Sequence, residues 1–159
     1  MNDLNDHLNI YVDRLRMGQQ HEIDEVLPPD FLDVHDQNLS YNDDVTVEGE
    51  AYLAEDTLVV HFTTETTACL PCSICNEPVT VPIRLENCYH TENLADIKGA
   101  VFNFMAMLRE NIVLETPHFA ECHQGVCPQR KTIGKYLKEG PTSQKNENSN
   151  EGYHPFADL

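Results

Sequence analysis

The chain has 159 residues, and its 10 Lys and Arg stand against 27 Asp and Glu, which gives a formal net charge of −17. The length suits one domain with a buried core, plus tails. So acidic a protein repels phosphate backbones, which argues against autonomous binding to DNA or RNA. Residues 1–129 carry 23 acidic and 5 basic side chains, whereas residues 130–159 carry 4 and 5. We expect the acidic body to attract a basic partner; solubility alone is the other explanation of its charge.

The sequence indicates neither a secretory signal nor a membrane segment. Residues 1–6 lack the basic start and the apolar run of a signal peptide. No stretch approaches the roughly 18 apolar residues that a membrane helix needs. We therefore predict a cytoplasmic protein without membrane association. Thiols stay reduced there, so clustered cysteines indicate metal or redox chemistry more often than disulfides.

The first half of the chain shows a β-pattern. Leu8, Ile10 and Val12 alternate with polar residues and predict an opening strand. Residues 28–32 read Pro-Pro-Asp-Phe-Leu and favour a short helical turn, because proline is tolerated at a helix start. Apolar residues alternate on both sides of a polar break at residues 54–57, which predicts a hairpin over residues 45–64.

The second half begins with a further strand and then changes its period. Alternating apolar residues at 79, 81, 83 and 85 predict the strand, so a Cys-x2-Cys turn lies between two strands that hold it rigid. Beyond residue 93 the apolar spacing changes to three and four, which predicts the principal helix near residues 100–112. Residues 131–138 form either a brief helix or a flat surface segment.

These elements predict an α+β fold, mainly an antiparallel β-sheet or open barrel with one principal helix. Residues 1–138 form a single domain in this interpretation. Residues 139–159 follow as a flexible, polar linker with an apolar C-terminal anchor at residues 153–159, which either docks back or grips a partner.

Two pairs of cysteines are the strongest chemical signal. Cys72 and Cys75 form one pair, and Cys122 and Cys127 form a looser one. Structural zinc sites take four thiolate or imidazole ligands in a tetrahedron, so the sequence predicts that these four cysteines bind Zn²⁺. Other side chains lie close enough in sequence to leave the ligand set open, namely Cys69, Cys88, His90, His118 and His123.

The alternatives to a metal site are reduced cysteines without metal and a thiol redox centre. Redox catalysis needs a thiol of lowered pKa beside positive charge, whereas Asn76, Glu77 and Pro78 follow the first pair on an acidic protein. The sequence also contains neither a glycine-rich phosphate loop nor a His-Glu-x-x-His pair. We therefore predict that the protein is not an enzyme.

Several motifs occur in an order known from one family. Residues 10–18 read Ile-Tyr-Val-Asp-Arg-Leu-Arg-Met-Gly, residues 72–79 read Cys-Ser-Ile-Cys-Asn-Glu-Pro-Val, and residues 155–159 read Pro-Phe-Ala-Asp-Leu. Together with residues 108–117 and the second cysteine pair, they resemble the YceD family of bacterial and plastid proteins, named for large-subunit ribosomal RNA accumulation. Ile74 and Asn76 stand where the family pattern has Arg and Leu, and the second pair has one extra residue between its cysteines.

The resemblance implies a role in accumulation or maturation of large-subunit ribosomal RNA without enzymatic activity. The leading hypothesis is a ribosome-biogenesis factor that binds a basic large-subunit ribosomal protein or the assembling subunit. Direct RNA contact would depend on a small basic group, Arg130, Lys131, Lys135 and Lys138. The alternatives are a small zinc-binding adaptor unrelated to ribosomes and a thiol redox protein.

Overall fold

A computed structural model describes residues 6–136 of the chain. These residues form an α+β fold of mainly antiparallel sheets that does not close into a barrel. The chain divides into two units, Met1–Pro128 and Gln129–Leu159. The linker and apolar anchor predicted for residues 139–159 lie outside the described residues.

Strands are the main secondary structure of the first unit. They are β1 (Asn9–Tyr11), β2 (His21–Leu27), β3 (Ser40–Tyr41), β4 (Val45–Ala54), β5 (Thr57–Pro71), β6 (Pro78–Asn93) and β7 (Val101–Asn103). The helices are α1 (Val12–Arg16), α2 (Met105–Glu115), α3 (Cys122–Gly125) and, in the second unit, α4 (Arg130–Gly134). Two 3₁₀ turns cover Pro29–Leu32 and Lys98–Ala100.

The larger sheet is built around strand β5. The strands β2, β4, β5 and β3 are hydrogen-bonded in that order, and β6 pairs with β5 from the Pro71–Pro78 partners to the Thr57–Asn93 partners. All of these pairings are antiparallel. Strands β1 and β7 form a separate two-stranded sheet. The long β5–β6 ribbon therefore ends at the Cys-x2-Cys turn that joins the two strands.

The hairpin predicted over residues 45–64 is confirmed as β4 and β5, which are joined through a turn at Glu55 and Asp56. The two strands approach closely at Gly49. A Cβ atom there would collide with the carbonyl oxygen of His61 and lie 2.7 Å from the Cα of Phe62. Glycine is therefore the residue that lets β4 and β5 pair in this register.

The core lies on one side of the large sheet. Alternate residues of β2, β4 and β5 point inwards and pack against helix α2, the residues before it and the β1 segment. The largest fully buried side chains include Leu8, Ile10, Leu27, Leu32, Leu58, Phe62, Phe104, Leu108 and Ile112. The opposite face of the sheet carries the polar residues of the same strands, so it remains accessible in the described part of the chain.

The principal helix predicted near residues 100–112 is confirmed, but its start and the end of the opening strand are wrong. The principal helix begins at Met105 and ends at Glu115, because Val101–Asn103 pair with β1 as strand β7 instead of starting the helix. The opening strand ends at Tyr11, and Val12 begins helix α1. In both places a pairing between distant parts of the chain decides the structure, and no local spacing reveals it. The helical turn predicted near residues 28–32 is confirmed as Pro29–Leu32.

Within residues 6–136, no helix is both long and apolar enough to cross a membrane.

Candidate metal centre

The first half of the centre is the turn between β5 and β6. The N–H of Cys72 donates to the carbonyl oxygen of Glu77 at 2.7 Å, and the N–H of Asn76 donates to the carbonyl oxygen of Cys72 at 2.9 Å. Asn76 has a φ of 67°, a left-handed conformation that asparagine tolerates better than most residues. These bonds close the turn and hold the sulfur atoms of Cys72 and Cys75 on one side of it.

The second half is the segment from Glu121 to Cys127. Within helix α3, His123 and Gln124 have φ values of 54° and 56°, so this turn is left-handed, and Gly125 continues it with a φ of 88°. The carboxylate of Glu121 accepts a hydrogen bond from the N–H of Cys127 at 2.8 Å. This bond closes the longer Cys-x4-Cys loop, so four intervening residues still bring both sulfur atoms together.

A short backbone pairing brings the two halves into contact. Cys72 forms an isolated parallel bridge with Ala120. The carbonyl oxygen of Ala120 accepts hydrogen bonds from the N–H and from the hydroxyl of Ser73, at 2.8 and 2.9 Å. The segment that precedes Cys122 is therefore anchored beside the first turn through hydrogen bonds that do not involve a sulfur atom.

The four predicted cysteines meet at one point. The Sγ atoms of Cys72, Cys75, Cys122 and Cys127 all lie within 4.8 Å of one another, and this group could hold a metal ion. The Sγ atoms of Cys75 and Cys122 are 3.6 Å apart. Zn–S bonds of about 2.3 Å place the sulfur atoms of a tetrahedral site about 3.8 Å apart. The observed spacing is therefore that of four ligands around a common centre, whereas a disulfide requires about 2.05 Å.

Backbone donors surround the most buried sulfur atom. Cys72 is only 1% exposed, and its Sγ accepts hydrogen bonds from the N–H groups of Ile74 and Cys122, both at 3.4 Å. Burial is the largest single influence and raises the pKa of the Cys72 thiol, but N–H donors from Cys122, Cys75 and Ile74 outweigh it and lower the pKa to about 6. These N–H donors therefore favour the thiolate form of Cys72.

The neighbouring thiols experience the opposite effect. Burial, followed by the nearby thiols of Cys127 and Cys75, raises the pKa of Cys122 far above its usual range. The N–H of Glu77 lowers the pKa of Cys75, but burial and the thiols of Cys72 and Cys127 outweigh it, and the net shift is upward. Four adjacent sulfur atoms cannot all carry negative charge without a cation among them. A divalent metal supplies that charge and deprotonates its ligands.

The remaining candidate ligands, His118 among them, do not join the cluster. Cys69 lies in the β5–β6 ladder opposite Thr80, and Cys88 lies opposite Phe62 against the core. His90 stacks on Phe102 with ring centroids 5.6 Å apart. His123 lies nearest to the cluster, since its Nδ1 is 3.2 Å from the Sγ of Cys122. It is nevertheless not one of the four side chains whose sulfur atoms meet.

Sequence reasoning missed the groups that orient the sulfur atoms. The N–H donors to Cys72, the carboxylate of Glu121 and the carbonyl oxygen of Ala120 carry no motif of their own. Only the position of Glu121, directly before Cys122, could have suggested that its side chain folds back over the loop. Such outer contacts fix the orientation of metal ligands.

No family model, curated protein or solved structure matches this chain. The resemblance to the YceD family therefore stays a prediction from the motifs of the sequence.

Proposed function

We propose that this chain is a non-enzymatic, cytoplasmic ribosome-biogenesis factor that supports accumulation of large-subunit ribosomal RNA. It binds a basic large-subunit ribosomal protein or the assembling subunit, and one Zn²⁺ held by four cysteines serves as a structural clasp. The family resemblance supports the ribosomal role. The cluster of four Sγ atoms is the single observation that carries the metal.

The donor set favours zinc over the other common metals. Four thiolates are soft ligands, which disfavour Mg²⁺ and Ca²⁺, and tetrahedral sulfur sites hold Zn²⁺ or iron. Four protein ligands also fill a tetrahedron and leave no open position for water or substrate, which is the pattern of structural sites. Two of the sulfur atoms are buried, with Cys72 1% and Cys127 2% exposed. The proposed ion therefore has a structural role and leaves no open position for a substrate.

The outer face of the large sheet is the proposed docking surface. Glu22 lies directly opposite Glu50, and Asp24 lies directly opposite Glu48, on the paired strands β2 and β4. Among the described residues, none of these four carboxylates has an ion pair with Lys, Arg or His. Like charges that face each other directly across strands destabilise a sheet. A basic partner would offset this repulsion.

An aromatic pair continues the same face. His61 lies opposite Glu50 on the next strand, and Tyr89 lies opposite His61. Their rings are stacked, with centroids 4.3 Å apart and planes 7° from parallel, and the Tyr89 residue is 64% exposed. Guanidinium and ammonium groups bind over tyrosine rings as well as to carboxylates. The row Glu22–Glu50–His61–Tyr89 therefore suits an arginine- or lysine-rich segment.

The metal is tested by elemental analysis of the purified protein. We expect one equivalent of zinc per chain, lost when Cys72 or Cys127 is replaced by Ser. Cys69→Ser is the matched control, because Cys69 lies in the β5–β6 ladder outside the cluster. The proposed zinc site is rejected if the purified wild type holds no zinc, or if the Cys72→Ser variant keeps it.

The docking surface is tested with charge-neutralising variants. Glu48→Gln combined with Glu50→Gln removes two charges from the outer face, and Asp96→Asn combined with Glu110→Gln removes two exposed charges elsewhere. Affinity capture should recover large-subunit ribosomal proteins with the wild type and with the second variant, but far less with the first. Equal recovery by both variants rejects this surface, and partners without ribosomal proteins favour the adaptor alternative.

The cellular role is tested by depletion. Loss of the protein should lower mature large-subunit RNA and deplete large subunits in sedimentation profiles, and expression of the wild type should restore them. Unchanged RNA and unchanged profiles would reject the ribosomal role and leave the metal centre standing as a separate result.

A further inference from the structure

We propose that Cys75 and Cys122 form a peroxide-sensitive pair, which hydrogen peroxide oxidises to a disulfide with release of the zinc. This inference rests on the metal centre proposed above. In this proposal Cys72 and Cys127 are buried and unreactive, whereas Cys75 and Cys122 are the pair that reacts.

Exposure separates the two kinds of cysteine. Cys72 and Cys127 are only 1% and 2% exposed, whereas Cys75 and Cys122 are half-buried. An oxidant from solvent therefore reaches the sulfur atoms of Cys75 and Cys122 first. Thiol oxidation follows access as well as thiolate character, and zinc keeps all of its sulfur ligands in the thiolate form.

The distance between these two sulfur atoms also allows them to form a bond. The Sγ atoms of Cys75 and Cys122 lie 3.6 Å apart, so they must approach by only about 1.6 Å to reach the S–S bond length of about 2.05 Å. The two residues belong to different turns, which Ala120 and Ser73 already hold side by side. Bond formation therefore requires small shifts at the turns and leaves the strands in place.

Disulfides within one turn are disfavoured by the surroundings of the other two cysteines. The Sγ of Cys72 accepts two backbone hydrogen bonds, both of which a rotation towards Cys75 would disturb. Cys127 is only 2% exposed, so the packing around its side chain opposes a rotation towards Cys122. A bond between Cys75 and Cys122 preserves these contacts, and it links the two turns covalently after the metal has gone.

The local charge selects the kind of oxidant. Glu77 lies two residues after Cys75, and Glu121 lies next to Cys122, on a chain of net charge −17. An anionic disulfide such as oxidised glutathione is repelled by this field. Hydrogen peroxide is neutral and small, so it reaches the half-buried sulfur atoms without an electrostatic penalty.

The chemistry balances with peroxide as the two-electron oxidant. One thiolate attacks a peroxide oxygen, so that an S–O bond forms, the O–O bond breaks and hydroxide leaves as water after taking a proton. The second thiolate attacks the resulting sulfenic sulfur, so that the S–S bond forms and the S–O bond breaks with loss of a second water. Two thiolates, one peroxide and two protons give one disulfide and two waters, and the remaining two thiolates no longer fill the zinc site.

The test uses the zinc-loaded chain carrying Cys69→Ser and Cys88→Ser, which removes the two cysteines outside the cluster. Hydrogen peroxide should release one zinc to a colorimetric indicator for every two thiols lost, and peptide mapping should find the Cys75–Cys122 disulfide. A reductant followed by zinc should restore the starting state. Oxidised glutathione at the same concentration should react at least tenfold more slowly.

The outcomes separate this proposal from the metal centre itself. If the reduced protein holds no zinc, the metal centre is wrong. If it holds zinc, but peroxide leaves the ion bound or joins Cys72 to Cys75 or Cys122 to Cys127, the centre stands and the reactive pair is rejected. Equal rates with peroxide and oxidised glutathione would overturn the argument from charge.

Discussion

The backbone N–H of Cys122 donates a hydrogen bond to the Sγ of Cys72 at 3.4 Å, across 50 positions of the chain. One half of the cysteine cluster therefore orients the other even without a metal. The same sulfur atom also accepts the N–H of Ile74 from its own turn. Cys72 is thus the point where the two turns meet, and its loss should affect both metal binding and folding.

The first prediction concerns the Cys72→Ser variant. A serine hydroxyl is a poor zinc ligand, and loss of outer contacts alone costs metal sites about 10–100-fold in affinity, so loss of a ligand should cost at least about 100-fold. Because zinc binding contributes directly to folding free energy, the thermal midpoint should fall and lose its dependence on added zinc. A competition assay with a zinc indicator measures the affinity, and calorimetry measures the midpoint.

Cys88→Ser provides the comparison, because Cys88 lies against the core outside the cluster. It should retain one zinc and a chelator-sensitive midpoint, even if its overall stability changes. A Cys72→Ser protein whose midpoint still responds to zinc and chelator as the wild type does would contradict the prediction.

The second prediction concerns Gly49→Ala. The new methyl group would meet the carbonyl oxygen of His61 and the Cα of Phe62, and neither backbone atom can move without breaking the β4–β5 ladder. Overpacking of this kind costs about 1–3 kcal/mol, which urea unfolding would measure. Gly134→Ala is the control, since nothing lies within 4 Å of a Cβ there. Equal stabilities of the two variants would show that the strands adjust.

Much of the sheet is predictable because its signal is local. The β4–β5 hairpin and the start of β6 show regular alternation, and both are confirmed. The alternation in β6 is broken after Leu85, because a bulge between the Phe62 and Thr64 pairs shifts the register and Asn87 adopts a φ of 52°. The strand therefore continues to Asn93 where the pattern no longer shows it. The β1–β7 pairing is also hidden, since neither short strand reveals its partner.

The candidate site was predictable to the level of its cysteines. Spacing and residue type indicate two pairs of cysteines. Cys69 and Cys72 form a further, overlapping Cys-x2-Cys pair, so the sequence alone leaves the ligand set open. The meeting of the two pairs at one point depends on the pairing of Ala120 with Cys72 and Ser73. That contact uses backbone atoms, which leave no trace in the residue types, so the arrangement of the donors required the structure.

The third prediction concerns pH. The pKa of His21 lies below its usual value. Burial is the main cause and the charge of Arg14 the second, while the charge of Glu25 acts in the opposite direction. The folded state then binds fewer protons than the unfolded state below about pH 6.5, so stability should fall as pH falls through this range. His21→Asn should lose less stability than the wild type between about pH 7.5 and about pH 5.5 in urea unfolding.

Arg14→Gln tests the cause of this effect. Without the cation, the pKa of His21 should move back towards its usual value, and the loss of stability with acidification should again be smaller than in the wild type. Parallel acid losses in all three proteins would show that other groups control the response.

The fourth prediction concerns Tyr41→Phe. The hydroxyl of Thr116 donates to the carbonyl oxygen of Ile112 at 2.8 Å, so the Tyr41 hydroxyl must be the donor in the buried 2.5 Å bond between the two side chains. This bond joins β3 to the end of helix α2. Its removal should cost about 0.5–1.5 kcal/mol with an unchanged denaturant slope, because the ring still fills its site. Tyr89→Phe is the control, because Tyr89 is 64% exposed, and it should lower the free energy of unfolding much less. Equal losses of stability in the two variants would mean that the Tyr41–Thr116 bond contributes nothing.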